Sequence, residues 1–364
     1  MSKMKKILAL LMIAVLAFTV VGCSGGDKAD DDEKPAEQTE GKDNEATDEQ
    51  LKITMVTDVG GVNDQSFNQS AWEGLQKADK DLGTKSDYQE SHQDADFVPN
   101  LETALDAEND LIWGIGFKLA DAVKAAAEEN PDAKYAIVDF SYGDKTPDNV
   151  VGVVFKQEQP SFLVGYIAAM MSETGKVGFV GGMESEVISA FDYGYHAGVA
   201  YANKVADKDV KVLRQYAEAF DDPAKGKAIA NSMYQQGADI VFHAAGGTGD
   251  GVIEAAKEQD KYAIGVDRDQ NDLAPDNVIT SAMKRVDVGV YNVVKDLKEG
   301  KFPGGTTVVY GLEEGAVDIA PTSDKHVPKE ILDKVEEIKK LIIDGEIEVP
   351  VDEDSYDEYL KTLE

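Results

Sequence analysis

From residue 51 onward, short apolar runs alternate with segments whose apolar residues recur at helical spacing. The runs predict strands at 52 to 57, 111 to 115, 134 to 139, 149 to 155, 176 to 180, 209 to 216, 238 to 243, 261 to 266, 278 to 283 and 305 to 310. Ile53 to Thr57 show little alternation, as in a parallel strand buried on both faces. Between most of the runs lie helical patterns such as DAVKAAAEEN, PSFLVGYIAAMMSE and AKGKAIANSMYQQG. Strand then helix, repeated, predicts an α/β fold with helices on both faces of parallel sheets. Two smaller sheets around a cleft fit better than one large sheet, because candidate ligand loops come from both halves of the chain. PSFLVGYIAAMM is apolar for only about a dozen residues, too short to span a bilayer, and reads as a buried helix.

The most informative stretch is ITMVTDVGGVNDQSFNQSAWEG, residues 53 to 74, where an apolar run ends in a carboxylate, a glycine pair and a helix start. Gly60 and Gly61 permit backbone angles that other residues resist, and Asp64 or Ser66 can cap a helix beginning near Phe67. Ligands of open α/β sheets sit at such strand ends. Asp58, Ser66, Phe67 and Asn68 can therefore touch a ligand. Taken alone, the same residues serve equally as turn, cap and core.

Charge narrows the function classes. Against 36 Lys plus Arg stand 70 Asp plus Glu, and the net charge of −34 repels phosphate backbones, so nucleic acid is not an expected partner. Such acidity suits solubility in salt, or is an acidic surface with no special role. The single cysteine, Cys23, excludes an internal disulfide and any multi-cysteine metal site.

Cys23 ends an export-signal pattern: Lys3, Lys5 and Lys6, an apolar run from Ile7 to Val21, then Gly22. Val20 stands where a lipobox usually has Leu. The polar linker that follows favours lipidation of Cys23 over an uncleaved anchor, with acyl chains holding the protein on the extracytoplasmic face of the cell membrane. Residues 23 to 50 are then the lipidated Cys and an acidic tether with almost nothing apolar to bury.

The order TDVGGVNDQSFNQSAWEG, LIWGIGF (111 to 117), YAIVDF (135 to 140), GFVGGM (178 to 183), FDYGYHAG (191 to 198) and GVDRDQ (265 to 270) resembles the basic membrane protein family, the PnrA-like nucleoside-binding lipoproteins of bacterial ABC importers. The resemblance covers roughly residues 51 to 350. It implies a type I periplasmic-binding-protein fold, two Rossmann-like lobes joined by three hinge crossovers near 155 to 160, 281 to 285 and 311 to 316. The expected N-terminal lobe is 51 to 155 plus 285 to 311, the C-terminal lobe 156 to 284 plus 316 to 350, and 351 to 364 a helical tail. The implied ligand is a nucleoside, foremost a purine nucleoside, closed between the lobes and passed to a permease and its ATPase. Docking on a permease is simplest for a monomer.

By the same resemblance Phe67 and Phe191 sandwich the base, while Asp267 and Lys284 hold ribose hydroxyls. Asp58 and Asn68 offer acceptors and a donor to a base edge, and Asp139, ending YAIVD, is a ligand carboxylate or a cap. Lys284 ends an apolar run, where a lysine needs a partner. Gly246 and Gly247 in AAGGTGDG let backbone N–H groups approach a sugar. That loop lacks both the GxGxxG spacing and a GK[ST] ending, so no nucleotide cofactor is expected. DRDQND opens like a calcium loop but has Val278 where a bidentate Glu is required. His92, His196, His243 and His326 lack metal-ligand spacing, and no triad or paired-acid pattern supports an enzyme. Trp113 departs from the small aliphatic residue expected before GIGF. The alternatives are another neutral solute, such as a sugar, or a surface receptor without a transport role.

Overall fold

Two six-stranded sheets, each flanked by helices, carry the chain. The computed structural model describes residues 50–363; the signal segment, Cys23 and the acidic tether lie outside the described residues. In chain order the first half contains β1 (Lys52–Val56), α1 (Phe67–Leu82), β2 (Lys85–Gln89), α2 (Phe97–Asp106), β3 (Leu111–Ile115), α3 (Ala120–Glu129), β4 (Tyr135–Val138) and β5 (Val150–Phe155). Next come α4 (Glu158–Met171), β6 (Lys176–Gly181), α5 (Glu186–Ala206), β7 (Lys211–Tyr216), α6 (Pro223–Gln235), β8 (Ile240–Ala244), α7 (Thr248–Glu258), β9 (Tyr262–Asp267) and β10 (Val278–Lys284). The chain finishes with α8 (Val286–Lys298), β11 (Thr306–Tyr310), β12 (Val317–Ile319), α9 (Lys329–Ile343) and α10 (Glu353–Thr362).

The first sheet has the order β11-β5-β4-β3-β1-β2 and is parallel throughout. The second, β12-β10-β9-β8-β6-β7, is parallel except where β12 runs antiparallel to β10. The chain passes between sheets after β5, where α4 packs on α5; after β10, where α8 packs on α1; and between β11 and β12. The inner strands read as apolar runs because both faces are covered: every residue of β3, β4 and β8 is buried.

Two strands carry no apolar run and escape a reading by hydrophobic pattern. β2, KSDYQ, is a sheet edge with polar residues and no fully buried position. β12 is only Val317–Ile319, and its antiparallel pairing departs from the all-parallel expectation. PSFLVGYIAAMM lies within α4, buried along most of its length as its composition predicts. Among the described residues no helix is long and apolar enough to cross a membrane.

Helix α4 can press onto α5 only because glycines line the seam. A Cβ at Gly198 would lie 2.0 Å from the Phe162 carbonyl oxygen, and one at Gly165 would lie 2.3 Å from that of Tyr195. Backbone against backbone leaves no room for a methyl group. This seam fixes the direction in which the start of α5, and with it Phe191, enters the space between the sheets.

Candidate functional site

A cleft of about 520 Å³ lies between the carboxyl ends of the two sets of strands. Its wall includes Asp58, Phe67, Asn68, Asp139, Phe191, Gly246, Asp267 and Lys284, brought together from loops far apart in the chain. Ser66 and Gly247, the remaining two candidates, stand just behind it. The Ser66 hydroxyl donates to Asp267 Oδ2 at 2.5 Å, and a Cβ at Gly247 would lie 3.3 Å from the Phe220 carbonyl oxygen and 3.8 Å from Asp64 Cβ.

Asp64, not Ser66, caps α1. Its carboxylate accepts from the backbone N–H groups of Ser66, Asn68 and Gln69 at 2.9 to 3.0 Å, whereas Ser66 makes no side-chain cap bond. Asn68 is held by two carboxylates, its Nδ2 donating to Asp58 Oδ1 at 2.8 Å and to Asp64 Oδ2 at 3.0 Å. Both amide hydrogens are thereby used within the protein, and the buried Asn68 Oδ1 has no partner. An amide fixed this way presents an acceptor. Burial raises the pKa of Asp58 against the opposing Asn68 and Gly60 hydrogen bonds, and burial pushes Asp64 up to about 7.

The opposite end of the cleft holds the one buried lysine of the wall. Lys284 Nζ lies 2.5 Å from Asp139 Oδ2, with side chains 2% and 5% exposed. The ammonium also sits 4.7 Å from the centroid of Phe67, 5.5 Å from Phe191 and 5.8 Å from Phe155. Burial raises the pKa of Asp267, and Lys284 and the Ser66 hydrogen bond partly offset it.

Asp139 and Asp267 follow the related strand sequences YAIV and YAIGV, one in each sheet, and both have φ of 63°. Left-handed backbone at a non-glycine residue is a small strain that Asp tolerates better than most. Here it turns the chain at the strand end, where the carboxylate joins the cleft wall.

Several cleft residues were not singled out from sequence. Phe117 and Phe220, from opposite halves of the chain, meet edge-to-face with centroids 6.3 Å apart. Phe117 closes LIWGIGF just after a strand, the position that marked the other loops, whereas Phe220 follows the half-exposed β7 and gives no comparable signal. Ile188 and Val187 add apolar wall from the start of α5. The histidines stay off the wall. His243 is fully buried beneath it with Nε2 3.0 Å from Gln270 Oε1, and His196 lies 2.9 Å from Asp192. Since Gln270 Oε1 also accepts from Val266 N–H, the His243 proton belongs on Nε2. Trp113 is fully buried in β3, its Nε1 without a partner, and does not reach the cleft. Among the described residues no group of three or more His, Cys, Asp or Glu is placed to hold a metal ion.

Contacts from the second sheet's loops reach across the cleft to the first. Gln270 Nε2 donates to the Gln65 carbonyl at 3.0 Å, and Arg268 pairs with Glu73 at 2.8 Å. With Ser66–Asp267 and Lys284–Asp139 they hold the two halves together around the enclosed space. The arrangement can clamp a flat, uncharged molecule that offers N–H or O–H donors to surplus acceptors.

The family model described as "Bmp: ABC transporter substrate-binding protein PnrA-like" matches residues 51–353. The CD4+ T-cell-stimulating antigen of Listeria innocua is 44% identical, over 96% of this chain and 99% of its own. The ABC transporter nucleoside-binding protein BmpA of Lactococcus lactis is 41% identical, over 95% and 99% respectively. Among solved structures, an ABC transporter solute-binding protein from Aeropyrum pernix superposes with a TM-score of 0.78 at 33% identity, covering 86% of this chain and 98% of that one. The two-sheet architecture is that of type I periplasmic-binding-protein-like solute-binding proteins. The chain belongs to the Bmp family of PnrA-like ABC transporter substrate-binding proteins.

Proposed function

We propose that this protein captures nucleosides, foremost purine nucleosides, between its two lobes and delivers them to a membrane permease driven by an ATPase. The observation that carries the reading is the pairing of Phe67 and Phe191, one from each half, around the buried Lys284–Asp139 pair. The two rings would stack on the faces of a base. Asn68 Oδ1 and the Asp58 carboxylate would accept from its edge, and Lys284, Asp139 and Asp267 would hold ribose hydroxyls, with Gly246 close to the sugar. This assignment needs no cofactor or bound metal and no covalent chemistry. The name of the lactococcal relative, a nucleoside-binding protein, supports it. The lobes are taken as 51 to 155 plus 285 to 311 and 156 to 284 plus 316 to 350. Lipidation at Cys23 would tether a monomer outside the cell membrane, within reach of its permease.

The test is calorimetric titration of residues 49 to 364, one compact unit, unfolded and refolded beforehand to remove carried ligand. Adenosine, guanosine and inosine should bind at micromolar concentration or tighter, beyond about −8 kcal/mol, with cytidine weaker and ribose showing no binding. Ribose or a hexose binding as tightly as any nucleoside would replace the reading with that of a sugar-binding protein.

A further inference from the structure

A second chamber, about 1190 Å³ and open to solvent, adjoins the cleft. Asp139 and Val187 belong to the walls of both, and Phe155, on the chamber side, presents its ring 5.8 Å from Lys284 Nζ. The two spaces therefore share Asp139 and Val187 as wall, and Asp139 belongs to the ion pair assigned above to the ribose. Base-edge acceptors lie at the other end of the cleft, on Asp58 and Asn68. A group carried on the sugar, away from the base, is the part of a ligand that faces the chamber.

The lining says what kind of group fits. Val154, Phe155, Val187, Ala190 and Val351 supply apolar surface. Asp139, Glu158, Glu186 and Asp352 supply carboxylates against a single Lys156. The amino ends of α4, α5 and α10 border the space, and on their own would favour an anion. Each already carries its own acid, Glu158, Glu186 and Asp352, so a phosphate would enter beside carboxylates that have taken the favourable positions.

We propose, resting on the nucleoside reading, that this chamber receives an uncharged substituent on the 5′ carbon of the ribose, so that 5′-thioether nucleosides are ligands and 5′-nucleotides are not. A methylthio group is apolar, slim and free of charge. It would lie along Val187 and Phe155 without disturbing the Asp139–Lys284 pair.

The experiment titrates the unit 49–364 with adenosine, 5′-methylthioadenosine and adenosine 5′-monophosphate, and with the same three derivatives of guanosine. The methylthio compound should bind within about tenfold of its parent and the monophosphate about 100-fold or more weaker. Two variants fill the chamber from two of its lining segments: Val351→Trp, at a residue 42% exposed, and Ser189→Trp on α5. Either should weaken the methylthio ligand about tenfold while leaving the parent within about threefold. Methylthio binding about 100-fold below the parent, or indifference of that ligand to both variants, would overturn the proposal while leaving nucleoside binding intact. Absence of binding by any nucleoside would bring down both readings together.

Discussion

Replacing Lys284 by methionine tests the central pair directly, because it removes the charge and keeps most of the volume. Asp139 would then be a buried carboxylate with its ion-pair partner gone, and among the described residues its Oδ1 already lacks a hydrogen-bond partner. Breaking a buried pair from one side costs about 3–5 kcal/mol, since the remaining charge keeps its desolvation penalty and loses its compensation. Loss of the ammonium from among Phe67, Phe155 and Phe191 acts in the same direction. The double variant, Lys284→Met with Asp139→Asn, removes both charges and should recover all but about 2 kcal/mol of that loss. Urea unfolding followed by tryptophan fluorescence is the assay, with Trp113 fully buried as the reporter. The single variant should shift the midpoint strongly at unchanged slope, and the double should lie between it and the parent. If Lys284→Met costs under about 1 kcal/mol, the pair is worth no more than an exposed one. Water would then reach Asp139, and this end of the cleft would not be desolvated.

Stacking on the aromatic pair is worth about 1–3 kcal/mol per base, so Phe67→Ala and Phe191→Ala should each weaken purine nucleoside binding about tenfold or more. Phe67 is the cleaner test, because Phe191 is 2% exposed and also packs on Phe242; near-parental titrations of both would remove the sandwich. His243 offers a pH prediction. Burial lowers its pKa from 6.5 to about 4, so the folded protein binds that proton less readily than the unfolded chain, and the stabilisation present above pH 6.5 is lost as pH falls towards 4. A shift of that size corresponds to roughly 3 kcal/mol. His243→Met should flatten this acid limb relative to the parent, while parallel stability curves would show that the imidazole stays protonated or reaches water. In the α4–α5 seam, Gly198→Ala places a methyl group 2.0 Å from a backbone oxygen and should cost about 3 kcal/mol in urea unfolding. A cost below about 1 kcal/mol would mean that the helices can separate without loss.

What the sequence carries, and what it leaves to the fold, divides along the range of the interactions. The strands with both faces covered announce themselves, because burial on two sides demands unbroken apolar runs, and β3, β4 and β8 are all of this kind. β2 needs one covered face at most, so its polar sequence is indistinguishable from a loop until β1 is seen beside it. The site divides the same way. Each strand-end residue was legible singly, since a carboxylate or aromatic after an apolar run stands where α/β ligands bind. Its partner was not: Ser66 and Asp267 are 201 positions apart, and Asp139 and Lys284 are 145 apart. The family resemblance supplied what local pattern could not, by grouping residues whose contacts are made only when two lobes meet. It still did not name Phe220, which lies in the loop beyond β7 rather than at the strand end itself. The left-handed backbone of Asp139 and Asp267 was equally hidden, because Asp adopts many turns. Yet YAIV and YAIGV, each leading into one of those aspartates, give the two sheets the same device. The strain is thus repeated at matching strand ends, where it brings two carboxylates from separate lobes towards one buried lysine, and a lysine so surrounded explains why an apolar run can end in a charge.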